Sequence, residues 1–295
     1  MSGLTALGRV WLDGRLVAAG SARVSAFDRG FLFGDGCYET FRAYGGKPFL
    51  LDGHLARLFN SAGRLGFRDM PPARVLSKAV FAVLKSNHLR DARIRIVVTR
   101  GEGWPELRDL RTSNPTVLVY AFHYVPPSAS ILRDGARIIL ARTVRNDRRA
   151  ADPAIKSTCL LNALTARREV DRTGVFEAVM VNPQGFLAEA VAANIFMVKS
   201  GILFTPSLSA GILPGITRDL VMSLARHAGI RVREGLFRPS ALVGADEAFL
   251  TASTIEIVPV SFVGGCRLPL ARPVTRRFQE AYSREVGRRT GVKRA

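Results

Sequence analysis

The sequence predicts a mixed α/β (α+β) fold divided into two domains. Its 295 residues are enough for two modest hydrophobic cores, and 47% apolar with 23% charged residues is an ordinary composition for a globular protein. A Pro-Pro pair among small polar residues at 123–130 is typical of a linker. Hairpin patterns precede this stretch, and strands alternate with helices after it. We therefore expect a small N-terminal domain at 1–122, an interdomain linker at 123–130 and a larger C-terminal domain at 131–295.

The N-terminal part predicts hairpins covered by helices. Asp13-Gly14 and Gly45-Gly46 each stand between strand-like segments, which is typical of two-residue hairpin turns. Asp52 is placed to cap a following helix whose apolar residues recur at helical spacing. The strands are expected at 10–12, 15–17, 38–44, 47–51, 92–99 and 116–122, and the helices at 52–60 and 73–88.

The C-terminal part predicts a second sheet with its own helices. Turn signals at 182–185 and 199–201 join neighbouring strands. The strands are expected at 136–140, 177–181, 194–198 and 202–205, and the helices at 157–173 and 217–228.

The formal net charge of +19 raises the question of nucleic-acid binding. The cations are scattered, mostly arginine, and not interleaved with aromatic residues, so we interpret them as a solvated basic surface. Such a surface helps to draw in anionic substrates. The alternative is a basic protein that associates with nucleic acid and whose fold has lost its catalytic activity. Such a protein would bind DNA without a cofactor.

Several other classes of protein are not expected. The three cysteines, Cys37, Cys159 and Cys266, are widely spaced, and the four histidines lack ligand spacing, so we expect neither disulfides nor a metal site. No run approaches the roughly 18 apolar residues of a membrane span. The N-terminus lacks the pattern of a secretory signal, so a cytoplasmic location is expected.

Three segments in order indicate a cofactor. Lys156 precedes an apolar helical pattern, Glu189 is an acid among small apolar residues, and the glycine-bracketed turn at 211–215 opens a helix at Thr217. An amine, a buried acid and a helix N-terminus are what pyridoxal 5′-phosphate requires: a Schiff-base partner, a pyridinium partner and a phosphate seat.

These segments resemble the class IV aminotransferases, the fold-type IV pyridoxal-phosphate enzymes. The group includes branched-chain and D-amino-acid aminotransferases and aminodeoxychorismate lyase. The resemblance extends from Asp28-Arg-Gly-Phe-Leu-Phe-Gly-Asp-Gly-Cys-Tyr-Glu39 to Thr254-Ile-Glu256-Ile-Val-Pro259. It implies a two-domain fold with the cofactor between the domains, closed in part by the linker, and a homodimer.

The resemblance also implies a role for individual residues. Lys156 is the catalytic residue, which forms the Schiff base and moves the proton. Glu189 keeps the pyridine nitrogen protonated, while Asn194 orders the turn beyond it. The phosphate seat is implied to consist of Ile216, Thr217, Arg57, Ser253 and Thr254.

The substrate is less well defined, because the sequence departs from each branch of the family. Leu161 stands where branched-chain enzymes usually have a tyrosine, yet Arg95 aligns with an arginine that meets the substrate carboxylate in those enzymes. The arginine–x–histidine pair of the D-amino-acid branch is missing after Thr99-Arg-Gly. We favour a branched-chain-like L-amino acid with 2-oxoglutarate as acceptor. Aminodeoxychorismate lyase, which makes 4-aminobenzoate for folate, is the first alternative and D-amino-acid transamination the second.

An apolar wall is expected on the substrate side. Phe33, Tyr38 and Leu161 are placed to line it and to accept an aliphatic side chain. Arg108 and Arg111, in the loop at 102–113, are candidates to bind a second substrate carboxylate.

Overall fold

Two β-sheets, one from each part of the chain, form the frame of the molecule. The structure, a computed structural model, describes residues 8–108 and 114–293. The strands of the first sheet are β1 (Arg9–Leu12), β2 (Arg15–Ala18), β3 (Gly36–Tyr44), β4 (Lys47–Pro48), β5 (Ala92–Thr99) and β6 (Val117–His123). The helices of this part are α1 (Arg29–Phe33), α2 (Leu51–Arg64) and α3 (Ala73–Ser86).

The first sheet is antiparallel, with the strand order β2-β1-β6-β5-β3-β4. Helices α2 and α3 bury one of its faces, where Leu58, Leu76 and Ile94 are fully enclosed. Side chains alternate across a strand, so residues between these positions point to the opposite face. Tyr38 and Thr40 of β3 lie opposite Val97 and Arg95 of β5 on that face.

The second sheet is mixed. Its strands are β7 (Ala136–Leu140), β8 (Glu177–Val181), β9 (Leu187–Ala190), β10 (Asn194–Lys199), β11 (Ile202–Pro206), β12 (Val232–Gly235), β13 (Glu247–Ala252), β14 (Glu256–Val263) and β15 (Cys266–Arg267). The order is β12-β11-β10-β13-β14-β7-β8-β9, and β15 pairs with β14. Strand β7 runs parallel to β14 and β8, and β11 runs parallel to β12. The helices are α4 (Ala129–Asp134), α5 (Leu161–Thr173), α6 (Ile216–His227), α7 (Pro239–Val243) and α8 (Pro273–Thr290).

The mixed α/β character is confirmed, and each predicted strand is present, although the one expected at 47–51 covers only Lys47–Pro48. Two helix starts also differ from expectation. Helix α5 begins at Leu161 instead of residue 157, because the chain before it bonds to β3: the Tyr38 N–H donates to the Lys156 carbonyl at 2.9 Å. The prediction that Asp52 caps α2 is wrong. The capping position is Leu50, with φ of 54°, and Asp52 lies in the first turn, where its charge still favours the helix dipole.

The irregular stretch between the two parts is shorter than 123–130. Strand β6 continues through His123, and α4 begins at Ala129 after Ser128, whose hydroxyl accepts a hydrogen bond from the Ile131 N–H at 3.3 Å. Residues 124–128 thus lie outside helices and strands. The division into domains at this place stays a prediction.

The two sheets are joined by a shared core. Tyr44 and Phe49 pack with buried aromatic residues of the second part, among them Phe249 and Tyr282. The Phe49 and Tyr282 rings meet edge to face at 5.6 Å between centroids. This packing fixes the end of β3 against β13, β14 and α8.

Within the described ranges, no helix combines the length and the apolar character needed to cross a membrane.

Candidate active site

A cavity of about 250 Å³ opens beside β3 and β5, where the open face of the first sheet meets the second sheet. Its wall combines residues from both parts of the chain. Most of the predicted site residues line it, namely Tyr38, Arg57, Arg95, Lys156, Glu189, Ile216, Thr217, Ser253 and Thr254. The fold therefore brings together residues that lie far apart in the sequence.

Lys156 reaches the cavity from an extended segment. Its backbone N–H donates to the Ser61 hydroxyl at 3.2 Å, and its carbonyl accepts from the Tyr38 N–H at 2.9 Å. The Lys156 Nζ atom lies 4.8 Å from the centroid of the Tyr38 ring. Among the described residues it has no ion-pair partner. The amine is thus held in place by its backbone while its nitrogen stays available in the cavity.

Glu189 is a buried acid on β9, as its small apolar neighbours predict. Its Oε1 atom lies 2.9 Å from Arg145 NH2, and its Oε2 atom accepts from the Leu213 N–H at 3.0 Å and the Asn194 side-chain amide at 3.3 Å. Burial raises the pKa of the Glu189 carboxyl, and the Arg145 charge opposes that rise. The ion pair with Arg145 stabilises the charged form of Glu189, which would be very unfavourable if the carboxylate were buried alone.

The N-terminus of α6 faces the same cavity. The first N–H groups of the helix, including those of Ile216 and Thr217, have no intrahelical acceptors, and Gly215 before them has no side chain to accept their hydrogen bonds. A Cβ atom at Gly215 would lie 1.9 Å from Asn194 Oδ1. Glycine is therefore required here by close packing, and it leaves the helix N-terminus open to an anion.

Hydroxyl groups complete this corner of the cavity. Thr217 Oγ1 lies 3.4 Å from Ser253 Oγ, which in turn lies 3.2 Å from His54 Nε2. Thr254 follows in the turn between β13 and β14, and its carbonyl accepts from the Tyr124 hydroxyl at 2.7 Å. Tyr124 thus supports the cavity from behind, whereas none of residues 123–130 lines it in the described part of the chain.

Arg57 is held by a buried carboxylate. Its Nε and NH2 atoms donate to the two oxygens of Glu39 at 2.7 Å and 2.8 Å, and NH1 donates to the Pro214 carbonyl at 2.8 Å. Burial alone would raise the pKa of Glu39, but the hydrogen bonds from Arg57 and His54 and their charges lower it to about 2. The fork geometry leaves N–H groups of Arg57 free to donate to an anion in the cavity.

Two arginines stand side by side on β5. Arg93 and Arg95 both line the cavity, and the Arg95 guanidinium lies 4.0 Å from the centroid of the Tyr38 ring. Burial, followed by the nearby Arg95 charge, lowers the pKa of Arg93. Neither has an ion-pair partner in the part of the chain that the structure describes. Two guanidinium groups on one wall of the cavity are chemically suited to bind carboxylates.

Two predicted substrate residues lie elsewhere on this chain. Phe33 at the end of α1 is 37% exposed and Leu161 at the start of α5 is 70% exposed, and neither lines the cavity. Arg108 is exposed and pairs with Glu106 at 2.7 Å. Arg111 lies outside the described residues.

Four residues of this arrangement were not predicted. Arg145 and Arg93 carry no distinguishing pattern, because arginine is abundant around both of them. Glu39, the hydrogen-bond partner of His54, had a recognisable sequence signal. Glu39 stands between Cys37 and Phe41 at the spacing of two that faces the core, so a carboxylate there demands a buried partner.

The residue pattern and the cavity agree with a match over most of the chain. A model of the family described as amino-transferase class IV matches residues 36–263. The chain belongs to the class IV aminotransferases.

Relatives within the class IV aminotransferases differ in the activity for which they are named. A protein of Methanocaldococcus jannaschii, provisionally named a branched-chain-amino-acid aminotransferase, is 40% identical over 258 residues, which cover 87% of this chain and 88% of that protein. The aminodeoxychorismate lyase of Bacillus subtilis is 32% identical and covers 85% of each chain. The D-alanine aminotransferase of Bacillus licheniformis is 30% identical, over 94% of this chain and 97% of its own.

Solved structures of class IV aminotransferases share the fold. The branched-chain amino acid aminotransferase of Escherichia coli superposes with a TM-score of 0.90 at 29% identity, covering 94% of this chain and 93% of its own. That of Thermoproteus uzoniensis, solved with norvaline, gives 0.87 at 33% identity, covering 95% of each chain. The predicted fold-type IV architecture is confirmed, and the chain is that of a class IV aminotransferase enzyme.

Class IV aminotransferases are pyridoxal-phosphate enzymes, and the residues of this cavity fit that cofactor. The open helix N-terminus at Gly215, the two hydroxyls and Arg57 offer donors suited to a phosphate. Glu189, paired with Arg145, suits a protonated pyridine nitrogen, and Lys156 supplies the amine.

Proposed function

We propose that this enzyme holds pyridoxal 5′-phosphate and transfers an amino group between an amino acid and a 2-oxo acid. The observation that supports this most is the arrangement of Lys156 and Glu189, which line one cavity together with the open N-terminus of α6. Amine, acid and anion seat are three separate requirements, and they meet in one place.

Each residue has a distinct task in this proposal. When bound, the cofactor supplies an electron-withdrawing ring conjugated to the substrate's α-carbon. Glu189, paired with Arg145, would provide the partner of a protonated pyridine nitrogen. Lys156 Nζ would take the proton from the substrate's α-carbon and later return it, as a positioned general base and acid. Thr217, Ser253, the N–H of Ile216 and Arg57 anchor the phosphate, with Thr254 beside them.

We favour a branched-chain-like L-amino acid as donor and 2-oxoglutarate as acceptor. The name of the archaeal relative at 40% identity supports the donor. The Arg93–Arg95 pair supports an acceptor with two carboxylates, because each guanidinium can bind one of them. Aminodeoxychorismate lyase, supported by the relative at 32% identity, is the alternative, and D-amino-acid transamination ranks after it.

We further propose a homodimer that completes the site, in the cytoplasm. Phe31 on α1, Trp104 and Leu107 after β5, and Leu161 at the start of α5 are all more than 60% exposed. Arg29 NH1 of α1 donates to the Trp104 carbonyl at 3.3 Å. An exposed apolar patch of this kind marks an interface. Phe33 and Leu161 would then meet substrate only in the assembled dimer.

The test is an absorption spectrum of the purified enzyme while L-leucine, L-isoleucine, L-glutamate, D-alanine and aminodeoxychorismate are added singly. We expect a visible band from the bound cofactor that bleaches with a branched-chain L-amino acid and returns with 2-oxoglutarate. A band that persists with every amino acid, while aminodeoxychorismate yields pyruvate, would establish the lyase. No band after addition of cofactor would overturn the proposal.

A further inference from the structure

A chain of hydrogen-bonding groups runs from the core of the first sheet to the proposed phosphate seat. Glu39 Oε2 lies 2.7 Å from His54 Nδ1, His54 Nε2 lies 3.2 Å from Ser253 Oγ, and Ser253 Oγ lies 3.4 Å from Thr217 Oγ1. Glu39 and His54 are buried to 0% and 1% exposure, and the Phe41 ring stacks on the imidazole at 4.8 Å. The two hydroxyls are the only members that reach the cavity among those four.

The direction of each proton in this chain follows from its acceptors. The Glu39 carboxylate is ionised, since its pKa is about 2, and it only accepts hydrogen bonds. His54 Nδ1 must therefore carry a hydrogen. Burial lowers the pKa of His54, so Nε2 is bare at neutral pH and accepts the Ser253 hydroxyl hydrogen. In the protein alone, the Ser253 proton thus points into the core and away from the cavity.

A bound phosphate demands the opposite direction. A phosphate dianion accepts hydrogen bonds only, so Ser253 must turn its proton toward the anion. The bare His54 Nε2 would then face an oxygen lone pair at 3.2 Å inside the protein. Leaving a buried acceptor unsatisfied is strongly unfavourable. A proton on Nε2 removes the conflict, because imidazolium donates to Ser253 and Glu39 at once.

We propose that seating of the cofactor phosphate is coupled to the uptake of one proton from solvent by His54 Nε2. One N–H bond forms, no proton leaves the chain, and the positive charge stays between Glu39 and the phosphate. His54 is then a positioning residue that sets the donor direction of Ser253. This inference rests on the proposed function, since it assumes a phosphate beside Ser253 and Thr217.

The charges around His54 are consistent with a switch driven by the anion. Glu39 of β3 favours the imidazolium, whereas burial, Arg57 of α2 and Lys156 oppose it. Without an anion the opposing contributions prevail. A dianion beside Ser253 adds an attraction at short range in a buried site, where electrostatic interactions are strong.

The experiment is a ¹⁵N imidazole NMR titration of the histidine-labelled enzyme, first freed of cofactor and then loaded with pyridoxal 5′-phosphate. At about pH 8 a phosphate monoester is already a dianion, so it supplies no proton itself. With four histidines the spectrum is simple, and His54→Gln identifies the signal of interest. We expect loaded His54 to be doubly protonated at this pH, which requires its proton affinity to rise more than about thirtyfold, from a pKa below 6.5 to one above 8.

Two variants separate the possible outcomes. His227→Gln changes an exposed histidine on α6 and should leave the His54 response intact. Ser253→Ala should still load cofactor, detected by its visible band, but leave His54 singly protonated. If His54 stays singly protonated in the loaded wild type, or doubly protonated in loaded Ser253→Ala, the coupling through the hydroxyl is overturned while the proposed function stands. If no visible band forms, it is the proposed function that fails.

Discussion

Arg42 and Glu256, 214 positions apart, form an ion pair that ties the first sheet to the second. The Tyr44 hydroxyl donates to the same Glu256 oxygen at 2.9 Å, and the Arg42 guanidinium stacks 3.4 Å from the centroid of the Tyr124 ring. Because Glu256 begins β14, this pair and the Tyr124–Thr254 bond hold one end of the turn that presents Ser253 and Thr254 to the cavity. His54 holds its other end.

Glu256 also has a left-handed backbone, with φ of 60°, which costs free energy for a residue with a Cβ atom. Both Glu256→Ala and Glu256→Gly leave Arg42 unpaired, so we expect each to lower the free energy of unfolding by about 2 to 4 kcal/mol. Glycine relieves the backbone and should be about 1 kcal/mol less harmful than alanine. Urea unfolding measures both. At exposed Glu280 in α8 the order should reverse, because glycine disfavours a helix.

The Glu39–Arg57 pair should make the free energy of unfolding depend on pH in the acid range. The folded pKa of Glu39 is about 2, below its ordinary value of 4.5, so its contribution is complete above pH 4.5 and is lost as the pH falls toward 2. We expect urea unfolding across this range to show a steeper loss for the wild type than for Glu39→Gln. Parallel curves would contradict the depressed pKa.

At neutral pH, the Glu39→Gln substitution tests how much a buried ion pair contributes to the free energy of unfolding. Glu39→Gln should lower the free energy of unfolding by about 3 kcal/mol, because it leaves the buried Arg57 without its partner. Glu285 has the same pKa of about 2 through Arg288 and Arg289, but these two arginines are exposed to solvent. We expect Glu285→Gln to cost about 1 kcal/mol or less.

The role of Lys156 can be tested by comparing it with an exposed lysine outside the cavity. Lys156→Ala should abolish the visible band of bound cofactor and lower turnover at least about a thousandfold, because the general base is lost. Lys78→Ala, on the exposed side of α3, should change neither. Absorbance and coupled-assay rates provide the measurement, and a normal band in Lys156→Ala would refute the assigned role.

Arg93 and Arg95 should differ in what they recognise. Arg93→Met should raise the KM for 2-oxoglutarate about tenfold to a hundredfold, the loss expected for one charge-assisted hydrogen bond. The KM for a monocarboxylic oxo acid should change little. Arg95→Met should raise both. Steady-state kinetics with each acceptor decide the matter, and equal effects of Arg93→Met on both acids would exclude a role in binding the second carboxylate.

The proposed dimer depends on the apolar patch around α1. Phe31→Ser and Leu161→Ser each introduce a polar group into that patch, and we expect the sedimentation coefficient to fall toward that of a monomer at micromolar concentration. Phe81→Ser alters an exposed phenylalanine on α3, away from the patch, and serves as the control. An unchanged coefficient in all three variants would show that the patch is not the interface.

The sequence predicted the parts of the site that stand in distinctive surroundings. Lys156, Glu189 and Thr217 each follow a local pattern, and the hairpins follow from their turn residues. Partners across the fold could not be predicted in the same way. Arg145 became the partner of Glu189 only through the path of the chain after β7, in a stretch where other arginines look equally suitable.

Local periodicity also failed where tertiary contacts override it. The segment 157–160 has a helical pattern, yet hydrogen bonds to β3 hold its start extended, with the Thr158 N–H donating to the Gly36 carbonyl at 2.9 Å. Of the expected apolar wall, Tyr38 lines the cavity, whereas Phe33 and Leu161 lie on the surface of α1 and α5. A single sequence does not reveal which surface residues would be buried by a second subunit.

The bond between His54 and Ser253 spans 199 positions. Contacts of such separation form late when a chain folds, because a long loop must close before they repay its entropy. During refolding, cofactor capture should therefore appear with the slowest phase, after helix content has recovered. The visible absorbance of the bound cofactor would then report the last step of folding, because a partly folded chain lacks a complete binding site.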